Sequence, residues 1–220
     1  MRALVIGASG GIGSAVATQL ERDKWDVTRL SRSADGFDVG HAALVERAMS
    51  RLTGQYDLIF IAIGILAPLW GGPEKSLLAI KPDEMARVFA VNTIGPALIL
   101  GRASELLPKD RRSVVATLSA RVGSIGDNKI GGWHSYRASK AALNQIVHGA
   151  AIELGRSHKQ SVCVALHPGT VETSFTENYA GGHAKVSAGQ AATNLLSVIS
   201  KLTPEHSGGF FDYAGEAISW

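Results

Sequence analysis

The chain is short of several residue types and patterns, and each shortage excludes a class of protein. It has a single cysteine, Cys163, so no disulfide can close within it. A lone thiol inside an apolar run suits packing in a reducing compartment, and a cytoplasmic protein is expected. No apolar run approaches the roughly 20 residues that span a bilayer. The opening Met1-Arg2-Ala3-Leu4-Val5-Ile6-Gly7 is broken by glycine too early for a secretion signal. The 7 histidines are dispersed, without metal-ligand spacing, so no metal is expected. Charge of either sign is scattered and nearly balanced, at +3 overall. With no basic stripe, neither nucleic acid nor a membrane surface is an expected partner. Repeats, low-complexity tracts and long linkers are also missing.

What remains is a chain of 220 residues, 45% hydrophobic and 19% charged, able to bury a substantial core as one domain over 1–220. Short β-branched runs alternate with helical patterns, which predicts a parallel sheet covered on both faces. Strands are expected over 3–6, 27–30, 57–63, 113–118, 161–166 and 209–213, with at most a very short extra one over 37–39. Helices are expected to about 22, over 41–52, from Pro82 towards 107, over 136–154, and from the Ser187/Gln190 capping-box spacing to about 202. The fold class is therefore α/β, a single doubly wound domain with a mostly parallel sheet of seven strands, or six, flanked by helices.

Between the first strand and its helix stands Gly7-Ala8-Ser9-Gly10-Gly11-Ile12-Gly13. Glycines there let the backbone turn sharply and approach a pyrophosphate, and the helix start offers unpaired N–H groups and a positive dipole end. At the end of the second strand a carboxylate would accept hydrogen bonds from both ribose hydroxyls of NAD. This chain has Ser31-Arg32-Ser33 instead, and an arginine forks onto a 2′-phosphate. NADP, as NADPH, is the expected cofactor, with NAD a lesser alternative. The plain alternative for Arg32 is a surface arginine. Asp38 and Val39 are candidates for the adenine, Asp38 being equally suited to a simple turn.

Tyr136-Arg137-Ala138-Ser139-Lys140 opens a helix, and residues four apart share a face. A free phenol titrates near ~10, and a neighbouring ammonium lowers that value. Tyr136 is thus expected to exchange a proton with a carbonyl or alcohol oxygen.

Together, these motifs, with Asn92-Thr93-Ile94-Gly95 and Pro168-Gly169-Thr170-Val171-Glu172-Thr173, resemble the short-chain dehydrogenase/reductase family over essentially the whole length. Small carbonyl-reductase-like members and bacterial C-factor-type proteins are the most similar in pattern. The resemblance implies a Rossmann-type fold and hydride transfer between nicotinamide and a small-molecule carbonyl or alcohol substrate. It implies Tyr136 as acid/base and Lys140 as the residue that binds the nicotinamide ribose and tunes Tyr136. Asn92 would hold a water of a proton relay. Gly7, Ser9, Gly11, Ile12 and Gly13 would cradle the pyrophosphate, and Gly64 would stand near the adenine ribose. Pro168, Val171 and Thr173 would hold the nicotinamide. It also implies pairing through the long helices into a homodimer or homotetramer.

Two departures stand out. Where the family usually carries a serine pair, this chain reads Ser119-Ala120. Ser119 lies seventeen positions before Tyr136 and Ser124 twelve, against the family's usual serine at about thirteen, whose hydroxyl polarises the substrate oxygen. Ser119 is the first candidate, because it ends a strand at the expected site edge, and Ser124 is the second. The other departure is Ile61-Ala62-Ile63-Gly64, where many members have an Asn-Asn-Ala-Gly turn. Substrate contacts are expected from residues 66–70, Trp133-His134 and 175–183, with Trp70, Trp133 and Phe175 lining an apolar pocket. Residues 173–186, with Gly181-Gly182, are expected to act as a lid. The uncertain serine leaves a second reading, a cofactor-binding regulatory protein with little turnover.

Overall fold

The computed structural model describes residues 1–67, 72–173 and 185–220. Six parallel strands form one sheet: β1 (Arg2–Ile6), β2 (Asp26–Leu30), β3 (Leu58–Ile61), β4 (Ser113–Leu118), β5 (Ser161–His167) and β6 (Phe210–Asp212). Their spatial order is β2-β1-β3-β4-β5-β6. β3 and β4 are buried along their whole length, and β5 as far as its last residue, as strands covered on both faces must be.

The helices divide between the two faces. Helix α1 (Gly11–Arg22) and α8 (Ala188–Lys201) cover Val5, Phe60, Ala116 and Val164 on one side. On the other, α3 (Ala42–Met49), α5 (Gly95–Leu100) and α7 (His134–Ser157) cover Leu4, Ile59, Val115 and Cys163. Alternate residues of each strand feed the two cores, which follows from the strand's period of two.

The extra strand expected over 37–39 does not form. Ser31 instead caps a short helix, α2 (Arg32–Asp35), accepting from the Ala34 N–H at 3.2 Å, while the Asp35 carboxylate accepts from the Ser31 N–H at 2.8 Å. That compact turn uses up the chain that a strand would need, and Phe37 and Val39 serve as core plugs instead. The helix expected from Pro82 towards 107 is also divided. It runs as α4 (Pro82–Phe89), widens into one π-helical turn over Ala90–Ile94, continues as α5 and ends in α6 (Ala103–Leu106). The capped start at Ser187 is present: its hydroxyl accepts from the Gln190 N–H at 3.1 Å.

The chain leaves β1 towards β2 on one side and returns through β3 on the other. That reversal opens a crevice beyond the carboxyl ends of β1 and β3, where open α/β sheets bind ligands.

Candidate active site

The glycine elbow sits at this crevice. Gly7 has φ +86°, and a Cβ there would collide with the Ala62 carbonyl, so no other residue fits without moving β3. Its N–H and that of Ala8 donate to the Leu30 carbonyl at 2.9 and 3.1 Å, which pins the elbow to β2. A Cβ on Gly13 would in turn meet the Gly7 carbonyl, so the first turn of α1 packs directly on the elbow. Ser9, Gly10 and Gly11 are exposed, and no side chain caps the start of α1. Its first N–H groups therefore face the crevice mouth, with Ile12 half-buried behind them.

Arg32 is exposed at the carboxyl end of β2, and its side chain makes no hydrogen bond or ion pair among the described residues. Its neighbour Arg29, by contrast, is held by Glu21 through two contacts of 2.8 Å. Asp38 makes a local turn, its Oδ1 accepting from the Gly40 N–H at 2.9 Å. Val39 is buried against Gly95 of α5, where any larger residue would collide with it.

Tyr136 and Lys140 lie in the first two turns of α7, both on its buried face. The Lys140 Nζ donates to the Leu118 carbonyl at the end of β4, at 3.0 Å. Asn92, fully buried in the π-helical turn, faces the same spot. Its Oδ1 accepts from the Ile65 N–H at 2.7 Å, and its Nδ2 donates to the Ile65 carbonyl at 2.8 Å and to the Ser139 hydroxyl at 3.0 Å. Thr93 donates to the Ser139 carbonyl at 2.8 Å. A Cβ on Gly64 would stand 3.4 Å from both Asn92 Oδ1 and Lys140 Nζ. The structure thus brings Lys140, Asn92 and Gly64 together, with Tyr136 one turn before Lys140 on the same buried face of α7. The sequence names Thr93 and Ser139 only within their motifs; in the structure they lock the π-helical turn to the Tyr136 helix.

The segment after β5 closes the opposite side. Pro168 is half-buried and Val171 buried, and Val171 forms a parallel bridge to Val186. A Cβ on Gly11 would lie 2.5 Å from the Thr173 methyl, so Thr173 rests against the glycine elbow.

The two serines are placed differently. The Ser119 hydroxyl donates to Asn144 Oδ1 at 2.6 Å, and Asn144 lies two helical turns beyond Tyr136 on α7. Ser124 is buried, and its hydroxyl accepts from the Asp127 N–H at 3.1 Å. Among the substrate candidates, Trp133 meets Tyr136 edge-on with ring centroids 6.3 Å apart. Residues 68–71 and 174–184, with Trp70, Phe175, Gly181-Gly182 and most of the expected lid, lie outside the described residues.

The electrostatics differ from the expectation. Burial pushes the Tyr136 phenol above its usual range, and burial also pushes Lys140 down, to about 7. Loss of water is the cause in both groups: each is buried, and the Lys140 Nζ donates to the Leu118 carbonyl. The phenol is accordingly held in its protonated form at neutral pH. His167, at the end of β5, is pushed down to about 4 by burial and by the Arg121 charge, so its ring stays neutral.

The family model described as Enoyl-(Acyl carrier protein) reductase matches residues 7–206. A Rhodococcus relative, 1-hydroxy-2-glutathionyl-2-methyl-3-butene dehydrogenase, is 33% identical, covering 99% of this chain and 98% of its own. The C-signal protein of Myxococcus xanthus is 36% identical over 76% of this chain and 95% of its own. Among solved structures, the NADPH-bound carbonyl reductase from chicken fatty liver superposes with a TM-score of 0.83 at 23% identity, over 100% of this chain and 94% of that one. The chain belongs to the short-chain dehydrogenase/reductase family of oxidoreductases. No helix among the described residues is long and apolar enough to cross a membrane.

Proposed function

We propose that this protein is an NADP(H)-dependent oxidoreductase that transfers hydride between nicotinamide and a carbonyl or alcohol substrate, with Tyr136 as the acid/base. The observation that carries this reading is the meeting of Lys140, Asn92 and Gly64 beside the end of β4, with Tyr136 one turn before Lys140 on the buried face of the same helix. The cofactor fits the residues present. The open start of α1 would take the pyrophosphate, the Arg32 side chain has no partner among the described residues to give up before taking a 2′-phosphate, and Val171 and Thr173 would flank the nicotinamide. NADPH in the chicken carbonyl reductase, and NADP in a Burkholderia cenocepacia short-chain dehydrogenase with a TM-score of 0.75, support the same choice.

When bound, the cofactor supplies or accepts hydride. In the reducing direction the protein supplies the proton. Tyr136, protonated by virtue of its burial, donates it to the carbonyl oxygen. Lys140, one turn along, would bind the nicotinamide ribose, and its charge would help the phenol release the proton. Asn92 holds the backbone at Ile65 and the Ser139 hydroxyl, which fixes the turn carrying Tyr136 and Lys140 and lines the path by which a water would restore the proton. In the oxidising direction, the one in the name of the Rhodococcus dehydrogenase, Tyr136 takes the proton instead. Ser119 is the hydroxyl at the strand end, but it reaches a substrate oxygen only by releasing Asn144.

The likeness to C-signal, together with Ala120 in place of the family's second serine, favours a second reading: a cofactor-binding regulator with little turnover. One experiment separates the two. NADPH consumption is followed against a panel of small diketones, aldehydes and quinones, with Tyr136→Phe as control. Turnover that the variant loses supports the enzyme, and tight NADPH binding without turnover supports the regulator. For assembly, Leu98 of α5 and Ile146 and Ile152 of α7 offer apolar, exposed positions for pairing two copies.

A further inference from the structure

The long helix that carries Tyr136 begins without a cap of its own. Trp133, its capping position, is in the left-handed region at φ 53° and provides no side-chain hydrogen bond to the first turn. A bare start leaves helix N–H groups unpaired beside the site. The missing acceptor comes from a residue 61 positions earlier in the chain. One oxygen of the Glu74 carboxylate accepts from the Ser135 hydroxyl, and the other accepts from the Ser135 N–H at 3.2 Å. The Glu74 backbone carbonyl accepts from the Trp133 N–H. Ser135 is buried, and Glu74 half-buried above it.

We infer that Glu74 is a positioning residue for Tyr136, clamping its own segment, residues 72–74, onto the first turn of α7. Ser135 is covalently next to Tyr136, and Trp133, held by the same residue, packs edge-on against the Tyr136 ring. Three bonds from one residue therefore fix the two neighbours that orient the phenol. An ionised carboxylate suits the positive end of a 24-residue helix. Burial alone would raise the Glu74 carboxyl, but the Ser135 hydroxyl, the backbone amides of Glu74 itself and of Ser135, and His134 outweigh it and hold it below the usual carboxylate range.

This inference rests on the assignment of Tyr136 as acid/base, and its test keeps the two apart. Glu74→Gln, Glu74→Asp, Ser135→Ala and the Glu74→Gln/Ser135→Ala double variant are compared for kcat, KM and NADPH binding, with Tyr136→Phe alongside. Glutamine turns an N–H towards groups that already donate. Glu74→Gln is expected to lower kcat about tenfold, as displaced catalytic groups do, with NADPH affinity unchanged. Glu74→Asp is expected to recover part of the loss, and the double variant to be no worse than Glu74→Gln alone. Hydrogen exchange gives a readout independent of turnover: amides of residues 72–81 and of the first turn of α7 speed up together in Glu74→Gln, while the rest of α7 does not change. Unchanged kcat, losses that multiply in the double variant, or exchange that rises in only one of the two segments would overturn the inference while Tyr136→Phe remained inactive. Full turnover in Tyr136→Phe would remove the acid/base assignment itself, and the inference with it.

Discussion

If Lys140 grips the cofactor, then binding NADPH has to take up a proton. Burial holds the free lysine at about 7, against an ordinary 10.5, so above neutrality it is mostly uncharged. The folded value lies below the unfolded one. The cofactor-free protein therefore gains stability as pH rises from 7 towards the unfolded value, because the unfolded chain binds the extra proton there. Binding reverses the trend. An anionic dinucleotide favours the ammonium, so the complex holds a proton that the free protein lacks, and affinity falls as pH rises. With the lysine fully restored to its ordinary value, Kd weakens about 50-fold between pH 7 and pH 9, or about 2 kcal/mol. This window lies above the 2′-phosphate transition near ~6. Tyr136, pushed up by burial, and Cys163, pushed up to about 12, stay protonated through it. Calorimetry in two buffers of different ionisation enthalpy would count the proton directly. Lys140→Met should bind weakly with a flat pH profile. A flat wild-type profile with no proton uptake, or the same slope in Lys140→Met, would refute the reasoning.

Three further outcomes follow from the geometry. Gly7→Ala places a side chain at positive φ against the Ala62 carbonyl. It should cost at least about 1–3 kcal/mol in urea unfolding and abolish NADPH binding. Arg32→Ala should weaken NADPH about 10- to 100-fold, the worth of a charged hydrogen bond, while NADH binding barely changes; equal losses for both cofactors would mark Arg32 as a surface residue. Ser119→Ala leaves Asn144 Oδ1 without its donor. Thermal melting should drop by the equivalent of about 1–3 kcal/mol, with kcat falling less than tenfold; a loss matching Tyr136→Phe would instead give Ser119 direct contact with substrate.

Much of the fold was legible in the sequence for a simple reason. β1, β3, β4 and β5 are buried on both faces, so each reads as an apolar β-branched run, and the Gly7–Gly13 elbow marks the one turn that must approach β3. The helix breaks were not legible. Nothing local distinguishes the π-helical turn at Asn92 from an ordinary turn, because what fits there is its amide's match to the Ile65 backbone, 27 positions away. Phe37 and Val39 looked like strand residues because they are apolar, but the Ser31 cap and Asp35 wind the residues just before them into a short helix and leave these two as core plugs. Glu74 gave no signal at all, since its partner is remote in sequence. The acidity of Tyr136 went the other way from the spacing argument. Four residues' separation on a helix predicts proximity to a cation, whereas the loss of water that raises the phenol depends on how the whole crevice packs.

The most direct test is the turnover of Tyr136→Phe, which removes one oxygen and leaves the ring that meets Trp133. The account predicts NADPH binding within about twofold of wild type and a carbonyl reduction rate lower by about 100- to 10,000-fold, the range of a lost general acid. Reduction at a rate near wild type, with the cofactor bound as before, would contradict it.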